Sequence, residues 1–348
     1  MSDRRIQPNQ LVIGLGLVVA LLTVASGVAS LVNGFHDDSE ITREVFGNIP
    51  GPLKLAFYSA IPLLVIWGAV LFSYRVQNWQ RGTPDNRSTT RKNARYRFSD
   101  FRSGVYMKTL LREPAAGVMH SLIYFPFLIL LAVTTVLEVN HQVPPTFKFL
   151  HGDVYRAYTL VGDIAGVMFL AGVVWALLRR YGPNRYRPYR IRIKTKPEHA
   201  AALFVFLAIG VTGFAAEAFR IAAEAGVEGH QVEAETWSII GYPMAQVIMD
   251  SGLAAHASGW HQAWWVAHVV SFMAFLALVP ITMLRHMFTS PLNMYLKDRD
   301  RPKGAMRPIP NLMETELESF GVSTIEEFTW KQLLDTDSCT MCGRCTSV

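Results

Sequence analysis

The chain has 348 residues, of which 51% are apolar and only 17% are charged. A soluble domain has about 25% charged residues, so this composition excludes an ordinary soluble globular protein. The net charge is +6, but the excess of basic residues lies in two loops between apolar blocks. The charge is therefore not evidence for nucleic-acid binding.

Six apolar blocks are long enough to span a bilayer, because a transmembrane helix needs about 20 predominantly apolar residues. The first block is too long to be the apolar region of a cleaved signal peptide. The sequence predicts an all-α fold, a multi-pass membrane bundle of about six helices over residues 11–290 that follows an N-terminal segment, residues 1–10. The six predicted spans are Leu11–Val32, Leu53–Tyr74, Ala115–Leu137, Tyr155–Leu178, Ala200–Phe219 and Ala263–Arg285.

Basic residues are distributed unevenly between the loops. Residues 75–114 and 179–199 together contain eighteen Lys and Arg, and the three intervening loops contain three, namely Arg43, Lys148 and Arg220. Basic loops stay on the cytoplasmic side of a membrane. Both basic loops and both termini are therefore predicted to be cytoplasmic, and the acidic loops face outward.

Two histidines, His120 and His268, lie in predicted spans, and His286 lies at the end of the last one; ionisable residues in a membrane are costly and point to function. His120 and His286 lie at comparable depth near the cytoplasmic side, so they could bind one haem iron as axial ligands. His268 and His286 are 18 residues apart, which is five turns of a helix, so both would project from one face about 27 Å apart. That spacing suggests two haems stacked across the bilayer. The alternative is a set of interfacial histidines wetted by headgroups.

Three further ionisable residues lie towards the outer side: Asp163, Glu217 and Arg220. Glu217 and Arg220 are three residues apart, so they are predicted to pair on one helix face. We expect these residues to contact quinone or carry protons. The alternative for the pair is an interfacial salt bridge.

The outer loop before the last span contains an apolar stretch, residues 237–253, that is too short to span a bilayer. It is predicted to be an interfacial or re-entrant cap. Four histidines lie near this mouth, and most of them are expected to be solvated, although one could be the distal partner of His268. They are His141, His151, His256 and His261.

The chain becomes polar after Pro291, where residues 291–338 form a predicted cytoplasmic linker with short helices. Residues 339–348 contain all three cysteines, Cys339, Cys342 and Cys345, in a C-x₂-C-x₂-C pattern. This spacing begins the ferredoxin pattern for iron–sulfur clusters, whose fourth cysteine comes later. The chain is therefore expected to be the first part of a longer protein that binds a [4Fe–4S] cluster. A zinc site is the alternative, and it would also lack a fourth ligand.

The last span carries tryptophans, His268, Pro280 and His286, followed by Thr-Ser-Pro-Leu-Asn. This signature resembles the cytochrome b family of the respiratory nitrate reductase gamma subunit. The resemblance implies that His120 and His286 bind the proximal haem b and that His268 binds the distal one. The family's other distal ligand would fall on Leu130, so the resemblance leaves open whether there is one haem or two.

The tail, ESFGVSTIEEFTWKQLLDTDSCTMCGRC, resembles the junction in proteins that fuse this cytochrome to a heterodisulfide-reductase-like iron–sulfur domain. Among such proteins, the tail resembles the membrane-bound electron-transfer-flavoprotein dehydrogenases. The resemblance implies a bacterial cytoplasmic-membrane oxidoreductase. It would pass electrons from a cytoplasmic donor, such as electron-transfer flavoprotein, through [4Fe–4S] clusters and haem b to menaquinone.

Three alternatives stay open. Menaquinol could instead be oxidised, with electrons delivered to a cytoplasmic disulfide or sulfur substrate. A redox-sensing transporter would need broken helices and polar residues at the membrane midplane, whereas the polar residues here lie towards the membrane faces. A membrane anchor without cofactors would leave the three histidines unexplained.

Overall fold

The computed structural model describes residues 7–32, 41–85, 91–108, 110–186, 196–226, 232–297, 311, 313–316 and 321–340. These residues form α-helices and short 3₁₀ segments, with one isolated β-bridge between Thr83 and Thr329. The predicted all-α class is therefore confirmed. The predicted division into domains stays a prediction.

Six helices are long and apolar enough to cross a membrane, as the sequence predicts. They are α1 (Pro8–Val32), α2 (Gly51–Gln80), α4 (Pro114–Gln142), α5 (Gly152–Tyr181), α6 (Pro197–Glu224) and α8 (Ala257–Leu278). The shorter helices are α3 (Arg91–Val105), α7 (Gly241–Met249), α9 (His286–Tyr295) and α10 (Trp330–Asp337). Helix α7 lies within the apolar stretch predicted to be a cap, and it packs on α6.

The last predicted span is wrong in one respect, because the helix does not continue to Arg285. Helix α8 ends at Leu278, and His286 begins α9. Pro280 has no N–H to donate, and its ring clashes with the preceding turn of a helix. The Thr282 hydroxyl then donates to the Leu278 carbonyl at 2.7 Å and accepts from the Leu284 N–H at 3.2 Å. His268 and His286 therefore lie on separate helices, and the five-turn argument for a shared face fails.

The bundle is built from helix pairs: α1 packs along α2, α4 along α5, and α6 along α8. A cluster of phenylalanines joins α4, α5, α6 and α8, with ring centroids of neighbouring rings 5.3–6.1 Å apart. Its members are Phe127, Phe169, Phe206 and Phe275. Aromatic rings at these spacings fill a core efficiently.

Residues 321–340, here called the C-terminal segment, lie against the basic end of the bundle, where α2 and α5 end. The Trp330 N–H donates to the Thr83 carbonyl at 3.1 Å, and the Thr83 N–H donates to Phe328 at 2.8 Å. Gly82 permits this approach, because a Cβ there would lie 2.5 Å from the Trp330 nitrogen. Helix α10 also packs on α9, which brings the C-terminal segment beside the helix that begins with His286.

Candidate functional site

The structure brings His120 and His286 together at the basic end of the bundle. Their ring centroids are 6.3 Å apart, and the ring planes are inclined at 66°. Imidazole nitrogens bind transition metals at about 2 Å, and each centroid lies roughly 1 Å behind its nitrogen, so two axial imidazoles on one metal have centroids about 6 Å apart. The observed separation fits a shared metal.

The hydrogen bond of the His286 ring also fits axial ligation. Nδ1 of His286 lies 2.6 Å from the Met283 carbonyl, which can only accept, so Nδ1 carries the proton and Nε2 holds a lone pair. A backbone carbonyl on the other ring nitrogen is the usual arrangement for a metal-binding histidine. Nδ1 of His120 is buried and has no hydrogen-bond partner among the described residues. The residues present therefore fit a haem with two histidine ligands.

Apolar side chains stand close to both histidines along their helices. Ile123, one turn beyond His120, and Met287, next to His286, both pack against the buried apolar core that contains Phe169, Phe206 and Phe275. Tyr124 also contacts the His120 ring, with centroids 6.4 Å apart. Such surroundings exclude water and lower the local dielectric constant, which influences the potential of a redox group.

His268 lies deeper in the bundle, between α6 and α8. Its Nδ1 is 3.1 Å from the Ile209 carbonyl and from the Thr212 hydroxyl oxygen. The Thr212 hydroxyl donates to Ala208 at 2.6 Å, so Nδ1–H donates and Nε2 again holds the lone pair. Gly213 leaves room for this ring, because a Cβ there would lie 3.3 Å from its Cε1 atom. His268 therefore has the tautomer of a ligand.

The four outer histidines are placed in two different ways. His151 and His256 are exposed, as expected. His141 and His261 are buried, which corrects the expectation that most are solvated. Nε2 of His141 is 2.8 Å from the Ser30 hydroxyl, and Nδ1 of His261 is 3.0 Å from the Asn48 amide. These contacts join α1 to α4 and α8 to the loop before α2.

Asp163 holds the N-terminus of α7. Its carboxylate accepts hydrogen bonds from the N–H groups of Ile240 at 2.6 Å and Gly241 at 3.2 Å. A negative charge at a helix N-terminus is favourable because the N–H groups there lack helical partners. The Glu217 side chain lies beside the same N-terminus, because a Cβ on Gly241 would lie 2.6 Å from its carboxyl carbon.

The predicted pair of Glu217 and Arg220 does not form. Arg220 instead binds Glu224 at 2.6 Å and Glu235 at 2.9 and 3.1 Å. Glu224 is four residues away on the same helix, and Glu235 approaches from residues 232–237. Glu217 turns towards Asp163. Its carboxyl group, which the helical spacing had assigned to Arg220, therefore lies at the start of α7.

Glu235 is a buried charged residue that the sequence analysis missed. It is 1% exposed and also accepts the Tyr155 hydroxyl at 2.7 Å. Burial raises the pKa of Glu235, but the Arg220 guanidinium outweighs it and lowers the pKa to about 2. The pair therefore remains charged while buried at the outer end. The distance of 15 residues between the partners gave no sequence signal.

His199, at the start of α6, was missed as well. It is 1% exposed, and its Nδ1 accepts from the Arg180 guanidinium at 2.7 Å and from the Lys196 N–H at 3.1 Å. This contact ties the end of α5 to the beginning of α6 at the basic end. The sequence showed only a histidine flanked by proline and alanines, which is not a recognisable motif.

The nitrate reductase gamma subunit family model matches residues 104–301. That range contains His120, His268 and His286 and covers more than half of the chain. The chain belongs to the nitrate reductase gamma subunit family. The resemblance stated from the sequence is thereby confirmed, and with it the assignment to a family of membrane proteins.

Similarity to two curated relatives covers more of the chain than the family match does. The chain is 33% identical over 239 residues to "EtfAB:quinone oxidoreductase" of Syntrophomonas wolfei, and 27% identical over 243 residues to "Probable iron-sulfur-binding oxidoreductase FadF" of Bacillus subtilis. The matches cover 68% and 69% of this chain. The chain spans about a third of each relative, 32% in both cases. No solved structure matches the chain significantly.

The cysteine motif of this gamma-family chain is only partly described. Cys339 lies at the surface two residues beyond α10, and its N–H donates to the Thr336 carbonyl at 3.2 Å. Cys342 and Cys345 lie outside the described residues. Ligation of a cluster by the three cysteines therefore stays a prediction.

The contacts of Asp163 predict a structural effect of its removal. Asp163→Ala leaves two buried N–H groups of α7 without their acceptor, which costs about 1–3 kcal/mol each. We expect a clear drop in the thermal unfolding temperature of the detergent-solubilised protein. Glu217→Gln is the matched control, because it removes the neighbouring carboxyl group but leaves the Asp163 acceptor of both N–H groups in place. Equal stability of the two variants would contradict this role.

Proposed function

We propose that this chain is the membrane part of a quinone-linked oxidoreductase, with His120 and His286 as the axial ligands of a haem b. The observation that carries the proposal is the 6.3 Å separation of the two ring centroids. Family membership supports it independently, because the matched range includes both histidines. A cofactor-free anchor would have no reason to bring these two rings together inside apolar helices.

Each ligand would be prepared for the metal by its own surroundings. The Met283 carbonyl holds the proton of His286 on Nδ1, so Nε2 is ready to bind without deprotonation. The turn after Pro280 aims this ring at α4 instead of along α8. Bound between the two rings, haem b supplies a one-electron carrier.

The partners are proposed from the names of the relatives. One relative is named for electron-transfer flavoprotein and quinone, and the other for iron–sulfur binding. We infer that this chain works with a cytoplasmic electron-transfer flavoprotein, that iron–sulfur clusters begin at Cys339, Cys342 and Cys345, and that menaquinone in the membrane is the acceptor. Asp163 and Glu217, two carboxyl groups of neighbouring helices, are proposed to contact the quinone or carry its protons, with Arg220 as their charged neighbour.

His268 is proposed as a ligand of a second, distal haem. Its Nδ1–H donates to a backbone carbonyl, as for His286. The position expected to supply its partner is Leu130, which packs against the phenylalanine cluster. The number of haems is therefore the quantity to measure.

A reduced-minus-oxidised absorbance spectrum of the purified protein tests the proposal. We expect sharp b-type bands and a stoichiometry of one or two haems per chain. His268→Ala should lower a value of two to one and leave a value of one unchanged. A spectrum without haem bands, from protein purified out of membranes of haem-sufficient cells, would contradict the proposed function.

A further inference from the structure

Asp337, the last residue of α10, connects the C-terminal segment to two different parts of the bundle. Its Oδ1 accepts from Nη1 of Arg75 at 2.8 Å and from Nε of Arg285 at 3.1 Å. Arg75 belongs to α2, whereas Arg285 directly precedes His286. All three side chains are mostly buried, with 27%, 20% and 15% exposure for Arg75, Arg285 and Asp337. Hydrogen bonds between charged groups are stronger than those between neutral groups, and partly buried ion pairs are screened less than exposed ones.

The same two arginines organise the turn that presents His286. Nε of Arg75 donates to the Pro280 carbonyl at 3.1 Å, and Nη1 of Arg285 donates to the Thr282 carbonyl at 2.8 Å. Helix α8 has ended, so these carbonyls have no α-helical donor; the Thr282 carbonyl also accepts the Arg285 N–H of the turn at 3.3 Å. One carboxylate on α10 therefore fixes both arginines, and each arginine fixes one carbonyl of the interrupted segment between α8 and α9.

The next residues extend this connection towards the cysteine motif. The Ser338 hydroxyl lies 3.1 Å from the Thr289 carbonyl, one turn beyond His286 on α9. Cys339 follows directly. Cys339, the first predicted cluster ligand, is therefore the direct neighbour of a residue that contacts α9, the helix that carries a proposed haem ligand.

We propose that Asp337 is a positioning residue that couples the cysteine motif to His286. It holds the C-terminal segment in register with the turn after Pro280, so that Cys339, the first predicted cluster ligand, and His286, a proposed haem ligand, keep a fixed relation. This inference rests on the proposed function for the identity of the two groups. The geometry that carries it consists only of residues of this chain.

The coupling also has an electrostatic consequence. Two arginines share one carboxylate, so the group has a formal charge of +1. Oδ2 of Asp337 is buried and has no hydrogen-bond partner among the described residues. Removing the carboxylate leaves two uncompensated positive charges near His286, and positive charge disfavours the oxidised state of a haem iron. The haem midpoint potential should therefore rise when Asp337 loses its charge.

Asp337→Asn in the full chain, purified from membranes, tests this inference with two measurements. We expect hydrogen exchange of a peptide covering residues 330–340 to become at least about tenfold faster. We also expect an upward shift of the haem midpoint potential in a redox titration, with an altered low-temperature electron paramagnetic resonance spectrum of the haem. Asp337→Glu, which retains the charge, should restore the potential towards that of the wild type.

Glu326→Gln is the matched control, because Glu326 also joins the C-terminal segment to α2, through Arg81 at 2.6 Å, but does not contact the His286 turn. It should leave the potential and the spectrum unchanged. If exchange in Asp337→Asn is faster but the potential and the spectrum are unchanged, Asp337 only docks the segment and the inference is overturned. Unchanged exchange would overturn it too. Absence of haem b from the wild type would instead contradict the proposed function, so the two failures can be distinguished.

Discussion

Replacing His286 by alanine should remove the proximal haem. The substitution deletes one of two axial nitrogens, and even the loss of a residue that only orients a ligand lowers metal affinity about 10–100-fold. We expect haem b at this site to fall at least tenfold relative to protein, measured by pyridine haemochrome assay and difference spectrum. His120→Ala should give the same loss, because the two rings face each other at 6.3 Å between centroids.

His256→Ala is the matched control for both variants. His256 is exposed and lies at the end of the bundle opposite the basic loops, so its removal should leave haem content and protein yield unchanged. Met283 offers a finer comparison, because its backbone carbonyl is retained in Met283→Leu and the His286 tautomer should persist. Wild-type haem content in His120→Ala would exclude His120 as a ligand and contradict the proposed site.

The pairing of His120 with His286 could be anticipated from the sequence, but only partly for the right reason. Depth counted from the membrane ends put the two residues at the same level. The argument that His268 and His286 share a helix face was wrong, because Pro280 ends α8 and the Thr282 contacts redirect the chain. Pro62 and Pro126 lie within continuous helices, so a proline alone does not identify a break.

The polar contacts at the outer end could not be predicted in the same way. Helical spacing suggests neighbours three or four residues apart, and it proposed Glu217 for Arg220. The partner that is most buried, Glu235, comes from a loop, and Asp163 acts on N–H groups from residues 240 and 241. These pairs depend on how the loop before α8 folds back on the bundle, which no local periodicity records.

The connection through Asp337 illustrates the same limit at the basic end. The sequence indicated a linker with short helices, and it gave no reason to link residue 337 with residues 75 and 285. Separations of 262 and 52 residues carry no spacing signal. The contact forms because Arg75 and Arg285 each donate one hydrogen bond to a carbonyl after the end of α8 and direct a second donor at Asp337 on α10.

Replacing Glu235 by alanine should cost the protein much of its stability. Arg220 would keep only Glu224, whose side chain is 21% exposed, compared with 1% for Glu235. Removing one partner of a buried ion pair costs about 3–5 kcal/mol, because the other charge stays buried without compensation. We expect a corresponding loss in the free energy of unfolding, measured by denaturant titration in mild detergent. Loss of the Tyr155 hydrogen bond adds to the effect.

Two comparisons isolate the buried pair from general effects of charge removal. Glu224→Ala should cost less, since Glu235 continues to neutralise Arg220, and Asp153→Ala removes only an exposed pair with Arg156, worth about 0–1 kcal/mol.

Acid provides a second test. The pKa of Glu235 is about 2 in the folded protein and about 4.3 when unfolded, so the unfolded chain takes up the proton first as pH falls. The stabilisation is therefore complete above pH 4.3 and is lost towards pH 2, a loss that Glu235→Gln should lack; an equal acid response in wild type and Glu235→Gln would contradict the charged pair.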